Sequence, residues 1–332
     1  MGGLNNIIIA GGAGFIGSHL VRNLLGRNGN LHLTVIDNLS TGSIKNLNDH
    51  LDDARLEFIE ADITKPLTDI PDIDIILNLA AIANPLDYEQ HRLDTLMVNS
   101  RGNENLIKMA RRWGAKYVFF STSEVYGDHN PLPANGLREE DNCRQVLHTK
   151  RSPYAIGKMF GEEIVSNLCT EAGLDYLIIR PFNVYGPNMD VRSPYGRVIP
   201  NFLNWAILKR PLKVNGDGTQ QRSFIWIEDF IEALLRLIEQ PNLDAPVVNI
   251  GNPISVSILE LALLVNKITR NPAGIEFADR YPFEPHFRTP NIDRITQLTG
   301  WFPKVSLAKG LEHILRTQDW MRKGTTMQEV IA

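Results

Sequence analysis

Ile7–Ala10, a short apolar run, passes without a break into Gly11-Gly12-Ala13-Gly14-Phe15-Ile16-Gly17, and a stretch of helical period follows over about 16–26. A strand that turns at once into a helix while leaving its backbone N–H groups open to an anion needs glycine at the turn, because any side chain there would fill the space. The spacing of Gly11, Gly14 and Gly17 is G-x-x-G-x-x-G rather than the commoner G-x-G-x-x-G. Such a set also serves as a plain structural turn; the strand before it and the helix after it favour a pyrophosphate cradle. The apolar run is too short for a secretory signal or a membrane span.

The same alternation continues along the chain. Apolar runs with few charges occur at Leu31–Ile36, Leu56–Ile59, Ile73–Leu79, Tyr117–Ser121 and Tyr176–Ile179, as strands buried on both faces require. Amphipathic stretches lie between them, clearest at 92–112 and 154–172. The fold class expected is α/β, a Rossmann-type doubly wound parallel sheet with right-handed crossovers. After Pro181 the pattern loosens: Gly186, Pro187, Pro194, Gly196, Pro200, Pro211, Gly216 and Gly218 crowd one segment, broken by a helical stretch near 200–209. A last strand-like run at Val247–Ile250 precedes helical patterns near 257–268 and 307–320. This predicts a sheet domain over 1–183 and 226–250, and a smaller discontinuous cap over 184–225 and 251–332, with a ligand between them. The tail from Lys323 has little to pack and is expected to fray.

Composition excludes several classes of partner. With 34 Lys+Arg against 38 Asp+Glu and no basic stripe, neither nucleic acid nor an anionic membrane is expected as the main partner. Cys143 and Cys169 are too few for a disulfide scaffold and lack zinc spacing, so a reducing, cytoplasmic setting without a metal is expected.

Asp37 ends the second strand-like run, twenty residues beyond Gly17. A carboxylate there either accepts both ribose hydroxyls of NAD and repels a 2′-phosphate, or serves only the turn. Asp62, after the third run, either meets the adenine edge or makes a turn.

Ser121-Thr122-Ser123-Glu124 follows the fifth run, and Tyr154-Ala-Ile-Gly-Lys158 opens a helical stretch thirty residues on. Residues four apart share a helix face, and an ammonium beside a phenol favours the phenolate, which a base for an alcohol proton needs. Glu124 is either part of this chemistry or a strand-end cap.

With these pieces in order, the chain resembles the extended short-chain dehydrogenase/reductases, specifically the nucleotide-sugar epimerases, dehydratases and decarboxylases. The likeness runs through GGAGFIGSHL, DNLSTG, NLAAIANPLDY, VNSRGNENLI, STSEVYGD, YAIGK, RPFNVYGP, GDGTQQRSF, NIGNP and RTPNIDR. It implies Tyr154 as base, Lys158 as its partner and ribose ligand, and Thr122 as a hydroxyl bonding the sugar. It also implies tightly held NAD, with Phe15, Ile16, Asn38, Ile63, Ala80 and Asn99 joining the glycines, Asp37 and Asp62 around it. On the substrate side it implies Asn183 at the hinge, Arg197 and Val198 near the base, and Arg222 and Arg288 against phosphate or carboxylate. Either arginine could instead be a surface ion pair.

Family 4,6-dehydratases carry an Asp-Glu pair where this chain has Ser123-Glu124, and simple 4-epimerases have a small or hydroxyl residue at position 124. Thr-Ser-Glu, with Ala83–Tyr88, looks like the UDP-glucuronate decarboxylases. Glu124, with Ser123 beside it, would then orient the ring and disfavour the substrate carboxylate by like-charge proximity. Three features depart from that pattern: Ile156 and Met159 replace the Glu and Arg of Y-x-E-G-K-R, residues 137–152 replace a W-G-N-V-N-P stretch, and Ala10 replaces a common Thr. These departures surround the sugar rather than the cofactor and leave a specialised nucleotide sugar open. A 4-epimerase, a 4,6-dehydratase and a non-catalytic NAD(H) sensor are the competing readings. The helical stretches 92–112 and 154–172 resemble those of a family homodimer contact.

Overall fold

The computed structural model describes residues 5–27, 29–67, 70–189, 197–240, 246–280 and 284–317. The tail from Lys323 and the end of the helix expected over 307–320 lie outside these residues. The first half runs β1 (Asn6–Ala10), α1 (Phe15–Leu25), β2 (His32–Asp37), β3 (Leu56–Glu60), β4 (Ile75–Asn78), α2 (Pro85–Gln90), α3 (Arg92–Asn99), α4 (Arg101–Trp113), β5 (Lys116–Phe120), α5 (Ser152–Ala172) and β6 (Tyr176–Pro181). The second half runs β7 (Val184–Tyr185), α6 (Val198–Ile207), β8 (Leu212–Asn215), β9 (Gln221–Ser223), β10 (Ile225–Trp226), α7 (Ile227–Ile238) and β11 (Val247–Ile250). It closes with β12 (Ser255–Ser257), α8 (Ile258–Thr269), β13 (Ile275–Ala278), β14 (Phe287–Arg288), α9 (Asp293–Thr299) and α10 (Leu307–Thr317).

Seven strands form one parallel sheet in the order β11-β6-β5-β4-β1-β2-β3. The apolar runs form it because both faces are covered. Ile7 and Ile9 of β1 pack into one core with Leu20, Val35 and Phe230, while Ile8 and Ala10 pack into the other with Ile76, Leu106 and Phe119. Successive strand residues point to opposite faces, so a run with no polar alternation suits a sheet sandwiched between helices. The strand order reverses between β1 and β4, and in such sheets the crevice at the carboxyl ends beside that reversal holds the ligand.

The helical stretch at 92–112 is two helices. Ser100 between α3 and α4 has ψ −79°, and its hydroxyl donates to the carbonyl of Leu96 at 2.9 Å. A serine that bonds back to the preceding turn competes with the helical ladder and bends it.

The cap is built from short ladders that carry no readable periodicity: β12-β9-β14, β13-β8 and β10-β7. Its helix α8 opens with a capping box between Ser257 and Glu260. The segment after β5 reaches the cap directly: Leu137 N donates to Thr289 O and Asn291 N donates to Leu137 O, both at 2.8 Å. These bonds anchor β14, and with it Arg288, over the carboxyl end of β5.

Candidate active site

The glycine turn closes on the neighbouring strand. Gly11 has φ +79°, and a Cβ there would sit 2.6 Å from Ala80 N; a Cβ on Gly17 would overlap the Gly11 carbonyl. Only glycine allows this approach of α1 to the sheet. Asp37 stitches the turn from β2, accepting from Ala13 N at 3.0 Å and Leu39 N at 2.9 Å. Burial raises its pKa, against those two N–H groups. A carboxylate has about four acceptor sites, so Asp37 serves the turn and retains capacity toward the cavity it lines. That cavity, of about 480 Å³, is walled by Gly11, Gly14, Asn38, Asp62, Ile63 and Ala80 among others. Asp62 also makes a turn, accepting from Thr64 N at 2.8 Å.

A second cavity of about 350 Å³ shares Gly11 and Gly14 with the first and continues past Phe15, Ile16 and Gly17 to Thr122, Ser123, Tyr154 and Lys158. A third, of about 590 Å³, meets it at Glu124, Asn183, Val198 and Phe224, and extends into the cap past Arg151, Arg222 and Arg288. Arg197 lines the second cavity and Val198 both. Asn183, at φ +25° in the bend between β6 and β7, is fixed by donating to Ser223 O at 2.8 Å. The three cavities adjoin through these shared walls and form one trough.

Thr122 caps a one-turn 3-10 helix over Ser123–Tyr126, accepting from Glu124 N at 3.2 Å, and it shares the wall of the second cavity with Tyr154. The Tyr154 ring stacks on Tyr88 with centroids 5.5 Å apart and planes 7° from parallel. Burial pushes the Tyr154 phenol up to about 12; Glu124 adds to this, while Thr122, Arg197 and Arg288 oppose it. Lys158 is buried, and its ammonium donates to Phe120 O at 2.6 Å and lies 4.7 Å from the Phe119 ring centroid. Burial pulls its pKa down to about 7, and Glu162 acts against that.

Charge gathers where the second and third cavities meet. Arg288 donates to both carboxylate oxygens of Glu124, Nη2 to Oε2 at 3.2 Å, and Arg151 Nη2 lies 3.0 and 3.3 Å from the same pair. Burial would raise the Glu124 pKa, but Arg151 and Arg288 outweigh it and hold the group at about 2. Arg222 donates to Glu284 at 3.0 Å; burial and the nearby Arg288 bring its pKa down to about 10. Three guanidinium groups thus face two carboxylates. Glu124 therefore stands as an ionised carboxylate paired with two arginines rather than as an isolated anion. Arg222 and Arg288 are both buried, so neither is a surface ion pair.

One expected cofactor residue stands apart. Asn99 is fully buried where α3 meets α5, off the walls of the three cavities, with Nδ2 donating to Thr95 O at 2.8 Å. Gly157 permits that contact, since a Cβ there would come within 3.2 Å of the Asn99 amide. Arg151 and Glu284 were not anticipated. Arg151, three residues before Tyr154, was legible as helix spacing; Glu284 carries no local signal.

The parallel sheet with its reversal point, the glycine turn and the tyrosine–lysine pair define a nucleotide-binding oxidoreductase fold. The NAD-dependent epimerase/dehydratase family matches residues 7–251, the chain belongs to that family, and its cofactor is NAD. The chain is 37% identical over 310 residues to UDP-glucuronic acid decarboxylase 1 of Arabidopsis thaliana, covering 93% of this chain and 68% of that protein. It is 37% identical over 307 residues to decarboxylase 3 of the same plant, covering 92% and 86%. A solved structure of UDP-glucuronic acid 4-epimerase from Bacillus cereus, in complex with UDP-glucuronic acid and NAD, matches with TM-score 0.84 at 28% identity, over 96% of this chain and 99% of that one.

Proposed function

We propose that this chain is an NAD-dependent UDP-glucuronate decarboxylase that works through a C4 ketone. The observation that carries the reading is Glu124 held between Arg151 and Arg288 beside Thr122 and Tyr154, where the two cavities join. A cationic rim at that point suits a sugar carboxylate or diphosphate. The likeness to proteins named as decarboxylases supports it.

On this reading the turn at Gly11, Gly14 and Gly17, with Phe15 and Ile16, takes the NAD pyrophosphate. Asp37 and Asn38 take the ribose, and Asp62, Ile63 and Ala80 line the adenine end. Bound NAD supplies an acceptor for the C4 hydrogen. Tyr154, on the same cavity wall as Thr122, removes the C4 hydroxyl proton. The resulting ketone lies β to the carboxylate, so the electron pair of the breaking carbon–carbon bond moves toward the ketone oxygen as carbon dioxide leaves. Thr122 and Tyr154 bond that oxygen as it gains charge, and a proton delivered to C5 gives the 4-keto pentose. Return of the hydride to C4, together with the proton held by Tyr154, would give the pentose and leave the cofactor oxidised. Glu124 fixes Arg151 and Arg288 with their forks aimed at the junction. Arg222, Asn183, Arg197 and Val198 line the nucleotide-sugar side.

Two further readings accompany it. A homodimer through α3, α4 and α5 accords with Leu93 and Phe160, which are exposed on adjoining helices; light scattering would test it. A cytoplasmic setting accords with the unpaired Cys143 and Cys169; cell fractionation would test it.

Mass spectrometry of products from UDP-glucuronate, UDP-glucose and a dTDP-hexose, run in parallel, tests the function. Loss of carbon dioxide from the glucuronate is the expected result. An isobaric product would move the protein to the epimerases, and loss of water from a neutral hexose to the dehydratases.

A further inference from the structure

Behind Tyr154 and Lys158 lies a buried charge cluster that the reaction above does not use. Glu162 sits one helical turn beyond Lys158 on α5, so the two side chains leave the same face of the helix. Both meet the end of β5, at consecutive residues: the Lys158 ammonium donates to Phe120 O, and the Glu162 carboxylate accepts from the Ser121 hydroxyl. Arg180 on β6 grips the same carboxylate through two bonds, Nε to Oε1 at 2.9 Å and Nη2 to Oε2 at 2.6 Å. The Glu162 and Arg180 side chains are 11% and 7% exposed, so the pair is buried and its geometry fixed.

A buried ion pair of this kind is weak ground for stability, since well-packed apolar residues serve as well. Its position suggests another use. An ammonium out of water tends to lose its proton, and a neutral lysine cannot draw a phenol toward phenolate. The described groups around Lys158 are mostly uncharged: the Phe119 ring, the Phe120 carbonyl, and Ser121, Thr122 and Tyr154 on the wall of the same cavity. Glu124 is engaged by Arg151 and Arg288. On the far side of Arg180 stand the Tyr126 hydroxyl, which accepts from its Nη1 at 2.9 Å, the Glu139 carbonyl, and the half-buried thiol of Cys143. Among the described residues Glu162, one turn away on the same helix face, is the anion that opposes the burial effect at Lys158; its pairing with Arg180 weakens that field without cancelling it.

We propose that Glu162, clamped by Arg180 and Ser121 one turn beyond Lys158, is a positioning residue that keeps the buried Lys158 ammonium charged and so prepares Tyr154 to act as base. The inference rests on the reading of Tyr154 and Lys158 as the catalytic pair. Arg180 holds the carboxylate against the strand end so that it faces the lysine without pairing directly with it.

The test follows the Lys158 side chain itself. In protein labelled at lysine Cε, with the signal assigned through Lys158→Met, the NMR titration of Lys158 is compared between wild type and Glu162→Gln. An opposite charge nearby typically moves a titration by about 1–3 pH units, so Glu162→Gln should titrate lower by that amount. The double variant Glu162→Gln/Arg180→Met, which leaves no buried charge unpaired, should titrate lower by less and guards against a misfolded single variant. Alongside, kcat at neutral pH should fall with KM little changed, and the acid limb of the kcat profile should move upward. An unmoved Lys158 titration in a folded variant, whatever its melting temperature, overturns the proposal. The titration needs no substrate, so failure of the decarboxylase reading would appear separately, as absent carbon dioxide release by wild type.

Discussion

Arg288 on β14 donates through Nη2 to Oε2 of Glu124 at 3.2 Å, although 164 residues separate them in the chain. The bond joins the carboxyl end of β5 to the cap, and Arg151 completes it from the start of α5. The carboxylate that distinguishes this chain's Thr-Ser-Glu is therefore a fastening between the two sides of the trough as well as part of its floor.

That fastening gives a pH signature. Glu124 is held at about 2 against an ordinary value of 4.5, so its folded pKa is depressed. Its stabilising contribution is fully present above the ordinary value and is lost as pH falls from about 4.5 toward 2. Thermal melts of wild type and Glu124→Gln should differ most at neutral pH and converge over that window. A constant difference down to pH 2 would contradict the pairing. At neutral pH Glu124→Ala should also retain NAD binding and lose most decarboxylation.

Tyr154→Phe should leave the fold and NAD binding nearly intact, because the phenyl ring can still stack on Tyr88. Turnover should fall by roughly 10²–10⁴-fold, the usual contribution of a positioned general base. Wild-type turnover in this variant would assign the base elsewhere.

NAD should bind better than NADP. Asp37 lines the cavity at the end of β2 with acceptor capacity to spare, and a 2′-phosphate would meet its charge. Losing a hydrogen bond to a charged group costs about 1.5–3 kcal/mol. Titration of both cofactors into stripped protein measures the preference, and equal or tighter NADP binding would count against this role for Asp37.

Gly11→Ala should weaken both the fold and NAD binding. Its φ of +79° is unfavourable for a side chain, and the added Cβ would meet backbone, not a movable side chain, at Ala80. Left-handed backbone costs an ordinary residue about 1–2 kcal/mol before any overlap. Gly114→Ala, at φ +66° but with open space around it, should lose stability alone and bind NAD as wild type does; calorimetry with NAD titration separates the two.

What the sequence determined by itself is what local pattern can encode. Uninterrupted apolar runs specify strands covered on both faces, the glycine spacing specifies the turn, and a separation of four residues puts Tyr154 and Lys158 on one face of α5. The tertiary structure decided the rest, because those relationships join residues far apart in the chain. Arg151 and Arg288 neutralise Glu124 across 27 and 164 residues, and Arg222 finds Glu284 across 62. Asn99 turns into the α3–α5 contact because Gly157 leaves room for it. The cap strands, two to four residues long, are too short to show a period and form only because their partners are brought alongside. Charge compensation in a buried site depends on distance in space, and an amino-acid sequence states distance only along the chain.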